Sequence, residues 1–163
     1  YMGLGRIYLL LEDFEASLNC YQQTEKSFSD LSLNLQAYFL NNYGNYYYYT
    51  KDYQTSLKKF LMLKKLLEKH DKRETFSMYL CKLNLADVYL NLNQLDLSDK
   101  CLDEVEDYMR KNGDETAIYY CNTIRIGQAV KKKDWNTVAR ILAGEKSNDQ
   151  LDFSLLQIRH QYL

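Results

Sequence analysis

The chain holds 163 residues with a formal net charge of −1, 46% hydrophobic residues, six glycines and no proline. That apolar content suffices for one continuous core, as one domain or one slab of a longer stack. A charge near zero gives no global attraction to nucleic acid or an anionic membrane.

No apolar run approaches the roughly 18–20 residues of a membrane span. Tyr1 follows no secretory signal and falls inside a repeated pattern. We therefore expect an excised piece of a longer chain, with its compartment, cytoplasmic or periplasmic, left open.

Apolar residues recur at three and four positions along the chain, which predicts helices throughout. Leu4, Gly5 and Tyr8 form the face of a first helix, and Phe14, Ser17 and Tyr21 that of a second. A helix predicted from about Leu31 to Tyr49 carries the stripe Leu33, Ala37, Leu40, Tyr43, Gly44 and Tyr47. Thr50-Lys51-Asp52 turns the chain into a partner running from about Tyr53 to Lys69. The third pair is predicted from about Glu74 to Leu92 and from Leu95 to Arg110, with its turn between Asn91 and Asp96. Lys111-Asn112-Gly113-Asp114 reads as a break, with Gly past a helix end and Asp as an N-cap. The fourth pair is predicted from about Glu115 to Lys132 and from Asp134 to Ala143, followed by a polar loop from Gly144 to Asp149. A last helix is expected over Gln150 to Leu163, where Ile158 to Tyr162 begins another first helix.

Set against one another, these pairs repeat the same slots. Gly5, Tyr8, Phe14, Ser17 and Tyr21 become Gly44, Tyr47, Tyr53, Ser56 and Phe60, then Ala86, Tyr89, Leu95, Ser98 and Leu102. A weaker copy reads Ile126, Ala129, Trp135, Val138 and Leu142, and successive copies lie 39, 42 and 40 residues apart. Periods of this size mean stacked helical repeats. The reading is a single domain over 1–163, with repeats at about 1–29, 30–70, 72–111 and 114–146 and a partial one at 150–163. Two antiparallel helices need a small residue where they cross, which Gly5, Gly44 and Ala86 supply. Each pair cannot bury its apolar face alone, so stacking provides the cover.

At these residues the chain resembles a tetratricopeptide repeat protein. The likeness rests on Leu-Gly, Tyr three residues on, and the aromatic, small and aromatic slots of the second helix. It covers nearly the whole chain. Ser stands in three copies where that family has Ala, the terminal Pro of each repeat is missing, and the period exceeds the usual ~34 residues. The longer repeats, and the closing run from Leu155 to Leu163, resemble the repeat regions of Bacteroides-type signalling and transcription regulators. There a repeat array precedes a DNA-binding or histidine-kinase output module. The fold implied is all-α, a right-handed superhelical solenoid of helical hairpins.

In that family the first helix of each pair lines a concave surface. The resemblance places Arg6, Tyr38, Asn41, Asn42 and Asn45 there, then Asn84, Asp87 and Asn91, then Asn122 and Thr123. A carboxamide is both donor and acceptor, so an Asn row grips the backbone of an extended peptide without reading its side chains, or simply tolerates water. Asp87 favours a cationic or N-terminal group on the ligand. The two-carboxylate clamp of related co-chaperones needs Lys and Arg where this chain has Asn, Leu and Asp, so that ligand class is not expected.

Tyr46 to Tyr49 spread around a helix: Tyr47 is expected in the core, and Tyr46, Tyr48 or Tyr49 at the neighbouring repeat or the groove. Lys58, Lys59, Lys64, Lys65 and Lys69 are expected to face Asp99, Asp103, Glu104, Glu106 and Asp107 on the second helix of the next pair. Lys131-Lys132-Lys133 reads as a solvated helix end. Cys20, Cys81, Cys101 and Cys121 form no metal-ligand spacing and read as small buried hydrophobes. His70 and His160 lack a nucleophile or ligand nearby in sequence, Gly3-Leu4-Gly5 has Tyr8 where a dinucleotide site needs glycine, and acids such as Glu12 and Asp13 read as caps.

The sequence thus points to a non-enzymatic protein- or peptide-binding module without cofactor or metal, the sensory or interaction region of a bacterial transcriptional or two-component regulator. No nucleic-acid contact or membrane span is expected from it. The alternatives are a structural scaffold that self-associates through its repeat faces, and a regulatory segment of an enzyme.

Overall fold

The computed structural model describes residues 1–72, 75–112 and 118–145. Among them are eight α-helices and no strand. They are α1 (Met2–Leu10), α2 (Phe14–Glu25), α3 (Leu33–Tyr49), α4 (Tyr53–Lys69), α5 (Phe76–Asn91), α6 (Leu95–Asn112), α7 (Ile118–Lys132) and α8 (Trp135–Glu145). A 3-10 turn, Phe28–Asp30, precedes α3, so that helix starts later than its apolar pattern suggests. Gly113 and Asp114 of the expected break, the end of the polar loop, and the helix expected over 150–163 with His160 lie outside the described residues.

Consecutive helices pack as the pairs α1/α2, α3/α4, α5/α6 and α7/α8. Each pair meets the next through its second helix and the following first helix, and neighbouring first helices also touch. The protein is therefore all-α and helical-repeat-like.

The turns inside the pairs repeat as faithfully as the helices. Glu12, Lys51, Asn93 and Lys133 all adopt left-handed backbone, with φ of 60°, 64°, 60° and 56°. Each ends a first helix. Glu12 and Asp13 donate to the carbonyls of Leu9 and Tyr8, and Asn93 and Gln94 to those of Leu90 and Tyr89, the bond pattern of a Schellman cap. The next residue then opens the second helix. Asp13, Asp52 and Asp134 accept from the backbone N–H of Ala16, Thr55 and Thr137 at 3.0, 3.0 and 3.1 Å. Hydrogen bonds from Thr55 hold the Asp52 carboxyl below the usual carboxylate range, and Thr137 does the same for Asp134. Glu12 and Asp13 are thus turn and cap residues.

One contact recurs at each helix crossing. The Ser17, Ser56 and Ser98 hydroxyls donate to the carbonyls of Gly5, Gly44 and Ala86 at 2.8, 2.9 and 2.7 Å, always twelve residues back. All three serines are fully buried. This explains why serine, not alanine, fills the slot: the hydroxyl both fits the gap and ties the helices together. Small and large side chains are matched at the same place. A Cβ added to Gly44 would stand 2.7 Å from the Phe60 ring, and one added to Gly5 would stand 3.1 Å from the Tyr21 ring. The third pair has Leu102 in the aromatic slot and accommodates Ala86. The fourth has Ile126 and Val138, with no hydroxyl to bridge, and α8 carries no fully buried residue among those described.

The core forms two clusters that meet on α5, one with buried residues from α1 to α5 and one with buried residues from α5 to α7. Tyr21 stacks on Tyr43 at 5.2 Å and meets Tyr46 edge-on at 5.9 Å, joining the first pair to the second. Tyr46 is therefore the residue that reaches the neighbouring pair, and it is buried, whereas Tyr47 is only half-buried. The core stripe of α3 is thus wider than expected: Tyr47 packs half-buried against it, as expected, and Tyr46 lies deeper. The cause is that α3 is covered from both sides, so Phe39, Leu40, Tyr43 and Tyr46 broaden its single stripe. Tyr47 instead donates its hydroxyl to that of Tyr43 at 3.1 Å. The Tyr21 hydroxyl is buried without a hydrogen-bond partner among the described residues, and burial pushes it up to about 12.

The charges pair differently from expectation. Lys59 reaches Glu25 of α2 at 2.7 Å, and Lys64 reaches Glu68 on its own helix at 3.9 Å. On α6, Glu104 binds Lys82 of α5 at 3.0 Å. Asp99, Asp103 and Glu106 gather around Arg125 of α7 at 3.5, 2.9 and 2.8 Å. Among the described residues no ion pair joins α4 to α6, and each of these helices instead pairs with the helices it packs against or within itself. The lysines closing α7 are also engaged. Lys131 donates to the Leu90 carbonyl near the end of α5 at 2.6 Å, and Lys132 lies 3.6 Å from Asp99, so this helix end is not simply solvated. Exposed pairs of this kind contribute about 0–1 kcal/mol each.

The matched crossing yields a prediction. Gly44→Ala gains about 1 kcal/mol in helix propensity but drives a methyl into the Phe60 ring, for a net loss of about 1–2 kcal/mol. Adding Phe60→Leu, which copies the third pair, should recover most of that loss. Chemical denaturation of the two single variants and the double variant measures the coupling; strictly additive effects would contradict size matching.

Candidate functional site

First helices α3, α5 and α7 lie side by side, and an open groove of about 620 Å³ runs across them. Of the expected residues, Asn45 and Tyr48 of α3 and Asn84, Asp87 and Asn91 of α5 line it, together with Tyr49 and Thr123. Tyr38 and Asn41 belong to a separate groove of about 420 Å³ with Leu33, Ala37 and Leu80. Arg6 is exposed on α1 and lines neither. The expected residues are thus not one continuous row.

What separates the grooves is a bond between two of the asparagines. Asn84 Nδ2 donates to Asn41 Oδ1 at 2.9 Å. A second bridge, Asn91 Nδ2 to the Tyr48 hydroxyl at 3.3 Å, spans the same 43-residue interval. Asn91 also donates to the Asp87 carbonyl at 2.9 Å and to its carboxylate at 3.4 Å. Part of the Asn row therefore laces α3 to α5. Asn42, expected on the surface, is buried and donates to the Tyr38 carbonyl at 2.7 Å. It turns inward because α3 buries more of its circumference than its pattern showed. Asn45 is half-buried in the groove, and no hydrogen bond to its side chain is found among the described residues.

The lining also holds Lys51, Tyr53 and Tyr120. Lys51, Tyr53 and Tyr120 escaped the sequence reading. Lys51 and Tyr53 belong to the turn and the start of α4, outside the first-helix register. Tyr120 had a usable signal: it stands 40 residues after Leu80, which stands 42 after Tyr38, all in one repeat slot. The Tyr48 ring meets its neighbours edge-on, at 5.8 Å and 90° from Tyr49 and 5.6 Å and 67° from Tyr53. Asp87 is the carboxylate of this lining and Lys51 its cation. Burial, and then the nearby Asp87 charge, raise the Tyr53 hydroxyl above the usual phenol range.

The cysteines are free, and Cys20, Cys81 and Cys121 are buried. Cys81 donates to the Phe60 carbonyl at 3.3 Å. Burial pushes the Cys81 and Cys121 thiols up to about 12 and Cys101 up to about 11, far from the range of a thiolate nucleophile. His70 is exposed just past α4. Among the described residues no helix is long and apolar enough to cross a membrane. Compared with known proteins, the chain matches no family model, no curated protein and no solved structure.

Proposed function

We propose that the chain is a protein- or peptide-binding module of tetratricopeptide type, its hairpins winding into a right-handed superhelix. On this reading it serves as the sensory or interaction region of a bacterial transcriptional or two-component regulator. The observation that carries the binding role is the groove shared by α3, α5 and α7, about 620 Å³ and lined by carboxamides and tyrosines on rigid helices. Sites of that size bury a short peptide segment, and carboxamides satisfy its backbone groups. Because three successive pairs contribute to one groove, a ligand that prefers one spacing of the pairs shifts their curvature by its difference in affinity.

Asn45 is the position at which to test it, since its side chain bridges no helices among the described residues. Asn45→Arg places a large cation in the groove. Peptides selected from a random display library on the unmodified protein should lose at least about tenfold in affinity for this variant, with little change in melting temperature. Selected peptides that bind both forms equally would place binding elsewhere.

A second reading, the self-associating scaffold, is favoured by one feature of α1. Leu4 and Ile7 occupy the repeat slots of Tyr43 and Tyr46, and of Leu85 and Val88. In α3 and α5 those residues are at most 6% exposed, yet Leu4 is 49% and Ile7 53% exposed, with Leu10 and Leu11 beside them. On this reading a second copy of the chain covers these exposed apolar side chains. Sedimentation velocity should then show concentration-dependent dimers that Ile7→Glu with Leu11→Glu abolishes; a strict monomer at all concentrations removes this reading.

A further inference from the structure

We infer that the larger groove takes a proline-rich segment of another protein, held as an extended polyproline helix. This rests on the groove being the binding site and adds the chemical class of the ligand.

Three observations carry it. First, the formal charges of the lining cancel. Asp87 is its carboxylate and Lys51 its cation. Asp87 is also already engaged, since Asn91 donates to its carboxylate at 3.4 Å. The lining therefore selects for no charge, and a neutral ligand brings the smallest desolvation cost of its own.

Second, the walls are aromatic, and exposed rings stand on two of the helices. Tyr49 of α3 and Tyr120 of α7 line the groove and are 60% and 53% exposed. Tyr48 and Tyr53 line it as well, and Phe60, Leu83 and Ile124 are its buried apolar members. An exposed ring offers a flat apolar face to a ligand. Proline covers such a face without losing side-chain freedom, because it has none to lose. Its segment is also extended before it binds, which is why aromatic-lined grooves take proline-rich chains.

Third, the open hydrogen-bonding groups suit a backbone that offers carbonyls. Among the described residues no hydrogen bond is found to the Asn45 side chain or to the hydroxyls of Tyr49, Tyr53 and Tyr120. Each of these groups can donate, as can Lys51. In a polyproline helix the carbonyls have no internal partner, and proline brings no N–H to satisfy. The amides of Asn84 and Asn91 already donate, to Asn41 and to Tyr48. Their oxygens are left as acceptors for the residues between prolines.

The dimensions set a spacing. α5 packs against both α3 and α7. Neighbouring helix axes lie about 8–10 Å apart, so the two outer helices stand up to about 20 Å apart. A polyproline helix repeats every three residues and rises about 3.1 Å per residue, so prolines about six residues apart share one face and span that width. None of the 163 residues is proline, so a second copy of this segment is not the ligand.

The test compares two capped peptides of about nine residues, one with proline at every third position among glutamine and alanine, the other with alanine in place of proline. Binding to the full chain is followed by fluorescence anisotropy. The proline peptide should bind about tenfold more tightly than its alanine counterpart. Tyr49→Ala and Tyr120→Ala, both at exposed positions, should each weaken the proline peptide about fivefold, and Tyr120→Phe, which keeps the ring, should lose less than Tyr120→Ala. Equal binding of the two peptides overturns the proline assignment, and so does a proline preference that survives Tyr49→Ala combined with Tyr120→Ala. Loss of that equal binding in Asn45→Arg leaves the groove standing, whereas its persistence removes the groove as well. A proline peptide that does not bind overturns the proline assignment alone, because the library-selected peptides judge the groove separately.

Discussion

A buried serine hydroxyl hydrogen-bonded to the carbonyl of a small residue on the facing helix is the contact on which this stack depends. The bond requires close approach, and close approach requires Gly5, Gly44 or Ala86 opposite Tyr21, Phe60 or Leu102. Fixing the crossing fixes where each pair presents its outer faces, and therefore how the next pair lands. The fourth pair shows the converse. With Ile126 and Val138 at the crossing the hydroxyl bridge is missing, and α8 is the least buried of the described second helices. There Gln128 reaches back to the third crossing instead, its amide donating to the Ser98 hydroxyl at 2.9 Å.

The groove is a consequence of this stacking. Once first helices stand side by side, the bridges from Asn84 to Asn41 and from Asn91 to Tyr48 hold α3 and α5 at a set spacing. Asp87 then lines the groove together with tyrosines of α3, α4 and α7. Half-buried polar bridges of this kind specify one arrangement more than they add net stability.

The sequence made the hairpins legible because crossing residues and helix periodicity are local signals. The expected helix from Tyr53 to Lys69 is found with those ends, and the turns at Lys51 and Asn93 fall where the pattern breaks. What stayed hidden depends on neighbours that are remote in sequence. That Tyr46 lies deeper than Tyr47 follows from its contact with Tyr21 of the preceding pair. That Arg125 collects three carboxylates of α6 follows from α7 packing beside it; the only clue was a cation in the slot held by Leu4, Tyr43 and Leu85. Asn41 and Asn84 look like free groove residues until their 43-residue separation brings them together. Of the candidate site, the α3 and α5 members were readable by repeat register, whereas Lys51 and Tyr53 were not, because they follow the first helix.

The most direct measurement of the central contact is the unfolding free energy of Ser17→Ala, Ser56→Ala and Ser98→Ala. Each removes one hydroxyl from a crossing and leaves the helices otherwise intact. The expected losses are about 1 kcal/mol for Ser17 and Ser56, and about twice that for Ser98, whose removal also strands the buried Gln128 amide. Three variants as stable as the parent, or a Ser98 loss no greater than the others, would contradict the dependence of the stack on this bond.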